Sequence, residues 1–169
     1  HDRRLVTDAL RDVDRLEATI TELIQLARDI IPANGEPHPL ATLVREATEP
    51  WTPRLQARGR SLRVELEAEL PWVSQRPQAI RQILDVLIEN ADAHGSGTVT
   101  VTARRQAHGA VVAVGDEGHA VLDGSRIFER HSGAGTGIGL ALARRLAEAE
   151  GLRLVLAHPG PGARFHLVF

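Results

Sequence analysis

Four glycines at alternate positions, Gly133, Gly135, Gly137 and Gly139, run straight into an apolar pattern of helical period that continues to Glu150. No other stretch of the 169 residues limits the fold as much. Bare backbone amides at the start of a helix form an anion site suited to phosphates. The segment is not a P-loop, because no Gly-Lys-Ser/Thr follows. It is also a poor dinucleotide fingerprint, since Phe128-Glu129-Arg130-His131-Ser132 precedes it where that motif needs a strand. The other reading is a glycine-rich linker, which the immediate helix argues against.

The rest of the chain supplies an antiparallel framework for such a loop. Ile80, Ile83, Leu84, Leu87, Ile88 and Ala91 recur at helical spacing and predict a helix over Arg76 to His94, closed by Gly95. Thr98 to Arg105 and Ala110 to Val114 are β-branched runs around Gln106-Ala107-His108-Gly109, a hairpin signal. Leu152 to Ala157 and Ala163 to Phe169 form a second hairpin around Pro159-Gly160-Pro161-Gly162. Ser61 to Glu69 alternates as a half-buried strand, and Pro71 to Ser74 is a candidate short strand. A helix over Leu40 to Ala57 contains Pro50 and Pro53, which kink or split it. Two hairpins with helices between them imply an α+β fold, a two-layer sandwich with a mostly antiparallel sheet.

Before this lies a different kind of segment. Val6, Ala9, Val13, Leu16, Ile20, Leu23, Ala27 and Ile30 fall on a heptad over a helix from Leu5 to Ile30, and Leu10 and Ile24 widen the stripe. A wide stripe suits a bundle with a partner helix from elsewhere; the alternative is a helix packed on the sheet. Three prolines and a glycine within Pro32 to Pro39 make a linker. The expected organisation is residues 1–31 as a helix of a partial bundle, 32–39 as linker and 40–169 as the sandwich.

Composition removes several function classes. The formal net charge is -2 without a basic stripe, so a nucleic-acid interface is not expected. With no cysteine, disulfides and thiolate metal sites are excluded. No apolar run reaches the length of a membrane span. Aromatic residues are only 3%, so the core must be aliphatic.

Two further positions carry candidate chemistry. Asn90 lies on the flank of the apolar stripe, with Val86 and His94 on the same flank. A neutral amide there can offer its carbonyl oxygen to a hard cation such as Mg²⁺, or it is a helix-end Asn satisfied by backbone. Asp116-Glu117-Gly118 ends a strand; its carboxylate can accept a hydrogen bond from an adenine amine, or it is an ordinary acidic turn.

Together these runs resemble the ATP-binding catalytic domain of bacterial sensor histidine kinases, in the ATPase superfamily that includes DNA gyrase and MutL. Gln82-Ile83-Leu84, Glu89-Asn90-Ala91 and His94 resemble the N box, and Asp116-Glu117-Gly118 the first glycine box. Ile127-Phe128-Glu129-Arg130 resembles the F box, and Gly135-Thr136-Gly137-Ile138-Gly139-Leu140 the second glycine box. The likeness covers about Leu40 to Phe169, and Leu5 to Ile30 resembles the second helix of the kinase dimerisation domain.

The resemblance implies a Bergerat-type sandwich that binds ATP with Mg²⁺. Asn90 would hold the metal, beside His94. Asp116 would take the adenine amine, and Gly118 would let the base approach. Phe128 would anchor the lid, Arg130 would reach a phosphate, and Gly135, Thr136, Gly137, Ile138, Gly139 and Leu140 would shape the phosphate end. It implies a two-component protein histidine kinase whose acceptor histidine and its base precede residue 1. A response regulator receiver domain would be the partner, with a homodimer through the N-terminal helix and no nucleic acid. The chain would be a cytoplasmic domain whose membrane anchor lies in other segments. The sequence departs from the family pattern at Val86, Ala93 and Ala120 and in a short lid between Phe128 and Gly135. Those departures leave two rivals, a docking module without catalysis and a hydrolytic ATPase. The second lacks its water-activating glutamate, because Val86 stands where it would be and Glu89 points about 100° away. A serine kinase acting on an anti-sigma partner shares the sandwich but normally lacks the long heptad helix.

Overall fold

The structure, a computed structural model, describes residues 36–119, 127–128 and 137–169. In chain order these form β1 (His38–Pro39), α1 (Leu40–Thr48), α2 (Trp51–Gln56), β2 (Leu62–Leu66), β3 (Trp72–Val73), α3 (Pro77–His94), β4 (Val99–Gln106), β5 (Gly109–Gly115), α4 (Gly137–Ala149), β6 (Arg153–His158) and β7 (Arg164–Val168). The helix expected over Leu5 to Ile30 lies outside the described residues. The chain divides into two compact units at Gly35 and Glu36, and the second is described here.

Five strands form one sheet in the order β2-β4-β5-β7-β6. The β4–β5, β5–β7 and β6–β7 pairs are antiparallel. The β2–β4 pair is parallel, which requires a crossover, and α3 lies on that connection. The sheet is therefore mostly antiparallel with helices on one face, the expected two-layer sandwich.

The strand period builds the inner face. Val99, Val101 and Ala103 of β4, Ala110, Val112 and Val114 of β5, and Phe165 and Leu167 of β7 are buried. Against them pack Ile80, Ile83, Leu84, Leu87 and Ile88 of α3, with Leu140, Ala143, Leu146 and Ala147 of α4. The core is mostly aliphatic, with Trp51 and Phe165 as its buried aromatic residues among those described.

Pro50 splits the helix expected over Leu40 to Ala57. A proline cannot donate to the preceding turn, so α1 ends at Thr48, whose hydroxyl donates to the Val44 carbonyl at 2.9 Å. Pro53 sits in the first turn of α2, where its missing N–H is not needed. Trp51 ties α2 to α3 by donating from Nε1 to Asp85 at 2.7 Å.

Two local expectations change. His38 and Pro39 are not linker: they pair antiparallel with Val73 and Trp72 in a second, two-stranded sheet. The strand expected over Ser61 to Glu69 is confined to Leu62–Leu66, and Val64 remains 37% exposed. It is an edge strand, with a neighbour on one side only.

Candidate active site

The end of β5 leads into Asp116, whose Oδ1 accepts the Gly118 N–H at 2.6 Å. This short loop of the chain onto its own carboxylate is an Asx turn. Asp116 is half-buried and Gly118 buried. Two glycines make the space. A Cβ on Gly118 would stand 2.5 Å from Asp116 Oδ1, and one on Gly95 would stand equally close to the same oxygen. Gly95 follows the last residue of α3, so the carboxylate is wedged between the helix end and its own turn. Its second oxygen, Oδ2, has no partner among the described residues.

Glu117 faces a different neighbour. Its Oε2 accepts the Thr98 N–H at 2.7 Å, and its own N–H donates to the Ser96 carbonyl at 3.0 Å. The Thr98 amide lowers the Glu117 pKa, because the hydrogen bond favours the charged form. Gly97 completes this turn at φ +63, a left-handed conformation, and a Cβ there would collide with the Glu117 carboxylate. Glu117 thus fastens the Ser96–Thr98 turn and leaves Asp116 as the carboxylate with an oxygen unpartnered among the described residues. The Gly162 N–H donates to the Gly118 carbonyl, which fixes the loop from the β6–β7 side.

The other end of the site lies further back along α3. Val86 is half-buried, and a Cβ on Gly139 would stand 3.3 Å from its Cγ1. The first turn of α4 therefore lies close over Val86. One turn on, Asn90 is half-buried with no hydrogen-bond partner among the described residues. His94 is exposed in the last turn of α3. At about 1.5 Å per residue, Val86 and Gly95 are roughly 13 Å apart along the helix. So α3 spaces the glycine start of α4 from the Asp116 loop, with Asn90 between them.

The start of α4 exposes the chemistry of a helix N-terminus, since the first four amides of any helix have no partner within it. Leu140 is 3% exposed, so its side chain anchors this turn in the core. The backbones of Gly137 and Ile138 belong to α4. Phe128 meets the Phe165 ring edge-on at 6.1 Å and 78°, and the Arg144 guanidinium lies 5.2 Å from its centroid. It is thereby attached to both β7 and α4. Arg130, Gly135 and Thr136 lie outside the described residues, as does Ala120.

No group of three or more His, Cys, Asp or Glu residues suited to a metal occurs among the described residues. A hard cation would therefore need oxygen ligands from a bound phosphate besides the one amide of Asn90, which suits Mg²⁺. Sequence reading missed the second role of Gly95 and the roles of Gly97 and Glu117. The string His94-Gly95-Ser96-Gly97 signals a helix stop, but only the fold brings Asp116 and Glu117 against it.

The family described as histidine kinase-, DNA gyrase B-, and HSP90-like ATPase matches residues 75–169. The alginate biosynthesis sensor protein KinB of Pseudomonas aeruginosa is 36% identical over 140 residues, covering 76% of this chain and 23% of KinB. Full-length ShkA, solved in complex with AMPPNP, superposes with a TM-score of 0.70 at 28% identity, covering 99% of this chain and 38% of ShkA. The histidine kinase ThkA in complex with response regulator protein TrrA gives a TM-score of 0.68 at 21% identity, over 93% of this chain and 47% of ThkA, a likeness of fold. The chain spans less than half the length of each.

Proposed function

This chain belongs to the histidine kinase-, DNA gyrase B-, and HSP90-like ATPase family, and on that premise we propose that it is the ATP-binding catalytic domain of a two-component sensor histidine kinase. The single observation that carries the reading is the Asp116 carboxylate, wedged between Gly95 and Gly118 with one oxygen unpartnered among the described residues. A half-buried acceptor of that kind suits the exocyclic amine of adenine, and Gly118 leaves the base room to approach. Backbone amides at the start of α4 suit the phosphates. Gly137 and Gly139 add no side chain to that turn, while Leu140 holds it to the core. Arg130, Gly135, Thr136 and Ile138 belong to the same reading through the motif they resemble.

Asn90 is the residue that would hold Mg²⁺, through an amide oxygen that nothing else occupies among the described residues. The ion would supply positive charge for the phosphoryl oxygens. The chain's own part is positioning and electrostatic preorganisation, which dominate phosphoryl transfer. Asp116 orients the base, α4 presents its amides to the phosphates, and Phe128 fixes the end of the lid to β7 and α4. His94 lies one turn beyond Asn90 on the rim.

In this reading the γ-phosphoryl passes to a histidine outside these 169 residues and then to an aspartate of a response regulator. Relatives more than twice as long have room for such a segment. ThkA was solved with a response regulator, which supports that partner class. Residues 1–31 would be the second helix of the dimerisation domain, pairing two copies, with 32–37 as the link to the catalytic unit. The parent protein would be membrane-anchored, with this domain in the cytoplasm; among the described residues no helix is long and apolar enough to cross a membrane.

Calorimetric titration of an ATP analogue with Mg²⁺ tests the reading. Saturable binding is expected, weakened about tenfold or more by Asn90→Ala and by Asp116→Ala, in line with the loss of a charge-assisted contact. Absence of binding at millimolar nucleotide would instead favour a docking module without catalysis.

A further inference from the structure

One guanidinium holds the far side of this site. Arg60, just before β2, donates from Nη1 to the carbonyls of Ala91 at 2.8 Å and Asp92 at 2.9 Å. Its Nε donates to the Gly97 carbonyl at 3.0 Å. Nη1 also stands 3.5 Å from Asp92 Oδ1, and the other Asp92 oxygen pairs with Arg58. The Arg60 side chain is only 12% exposed and that of Asp92 only 6%. Ala91 and Asp92 directly follow Asn90; the Ala91 carbonyl also accepts the Gly95 N–H at 2.9 Å, and the Asp92 carbonyl is among the last of α3, where a helix needs outside donors. Gly97 belongs to the turn in which Ser96 and Thr98 hold Glu117 and Gly95 abuts Asp116. A planar, rigid fork of donors can join two such backbones in one geometry, which a flexible ammonium does less well.

We propose that Arg60 is a positioning residue that sets the site's preference for the adenine amino group, by holding the Gly95–Thr98 turn against the Asp116 loop. This rests on the reading of Asp116 as acceptor of that amine.

The physical reason lies in how a carboxylate discriminates. An amino group donates to it. A 6-oxo purine presents a carbonyl at the same place and leaves the half-buried carboxylate unsatisfied, so the two bases differ in affinity. The difference survives only while the carboxylate is fixed. If the turn loosens, Asp116 can swing to water and accept hydrogen bonds there, and the amine loses its advantage. The phosphate end is held separately, through the buried Leu87, Ile88 and Leu140. The loss should therefore fall on the base that carries the amine.

The test measures calorimetric affinities of Mg²⁺ with ATP and with inosine triphosphate, on the 169-residue chain and on Arg60→Met and Arg60→Lys. Methionine keeps the apolar stem and removes every donor. The wild type should prefer ATP. Arg60→Met should lose about fivefold to tenfold of that preference, the scale of one or two hydrogen bonds, with inosine triphosphate unchanged within about twofold. Arg60→Lys should recover part of it. An equal loss of both nucleotides, or an unchanged preference in both variants, would overturn the proposal. Equal affinities in the wild type would mean that the amine reading of Asp116 has failed, and the role of Arg60 with it. Should Arg60→Met not fold, Asp92→Asn removes the carboxylate beside the guanidinium and should shift the preference in the same direction by less; no shift there would also overturn it.

Discussion

The two ends of α3 are fixed by different means. At the start, Pro77 presets the first turn and the carboxylate of Glu150 closes it, accepting the Arg76 N–H at 3.0 Å and the Arg76 Nε at 2.6 Å. The Glu150 side chain is 4% exposed and directly follows α4, so this ion pair joins the ends of the two helices. At the other end stand Asn90 and His94, and the holding groups are Arg60, two glycines and Glu117. There the satisfaction is incomplete: Arg60 Nη2 and Asp92 Oδ1 are buried without a hydrogen bond. A buried polar group without a partner costs stability. The first end is built to hold the fold. The second leaves polar atoms unsatisfied in the group that holds the Gly95–Thr98 turn.

Removing Glu150 would break the comparison most strongly. Glu150→Ala leaves the part-buried Arg76 amide and guanidinium without this carboxylate. Loss of one member of such a pair is expected to cost about 3 kcal/mol in urea unfolding. Nucleotide affinity of the folded protein should stay within about twofold, because the site lies at the other end of the helix. A large loss of affinity at unchanged unfolding free energy would reverse the roles assigned to the two ends.

Gly95→Ala tests the second end by a methyl group alone. The Gly95 backbone, at φ -89 and ψ -176, is one that alanine adopts without strain. The cost is spatial, since the new Cβ would meet Asp116 Oδ1 at 2.5 Å and the Ala91 carbonyl at the same distance. Unfolding free energy should fall by about 1–2 kcal/mol. Nucleotide affinity should fall as far as in Asp116→Ala, because the carboxylate must move. Unchanged affinity would show that the Gly95 wedge does not set Asp116.

These two ends were unequally legible in the sequence. The α3 pattern, both hairpins and the break at Pro50 could be read because each depends on neighbours within a turn or two. The parallel β2–β4 pair could not, since register between strands on either side of α3 is set by the core and not by local residues. His38–Pro39 reads as linker because its strand character comes only from Trp72 and Val73. The candidate site motifs read in the sequence as residue types: Asn90, Asp116 and the glycine run that leads into α4. Gly95 shows the limit. As a string it marks a helix stop, and its second role exists only because β5 delivers Asp116 to the same point. Arg60 carries no signal at all, since an arginine after a turn is ordinary until its three carbonyls are in place. Val86 is a further case: the sequence shows it as a departure from the family pattern, and only the fold shows that the first turn of α4 approaches it at Gly139.

The smallest expected effect concerns acid. Glu117 has its pKa lowered chiefly by the Thr98 amide, with a lesser contribution from the charge of Arg63. In the unfolded chain this glutamate titrates near its ordinary 4.5. Its folded value is lower, so the unfolded state binds the proton first as pH falls. The contribution of Glu117 to stability is then fully present above that ordinary value and is lost as pH falls through the folded value. Unfolding followed by urea between about pH 3 and pH 6 should show a steeper acid loss in the wild type than in Glu117→Gln, with the two slopes equal above the ordinary value. Amide exchange of Thr98 should speed up in the same window, ahead of the α3 core, because the bond that protects it is the one being titrated. Parallel curves for the two proteins would mean that the Glu117 bond holds only the turn's shape and carries no measurable share of its stability.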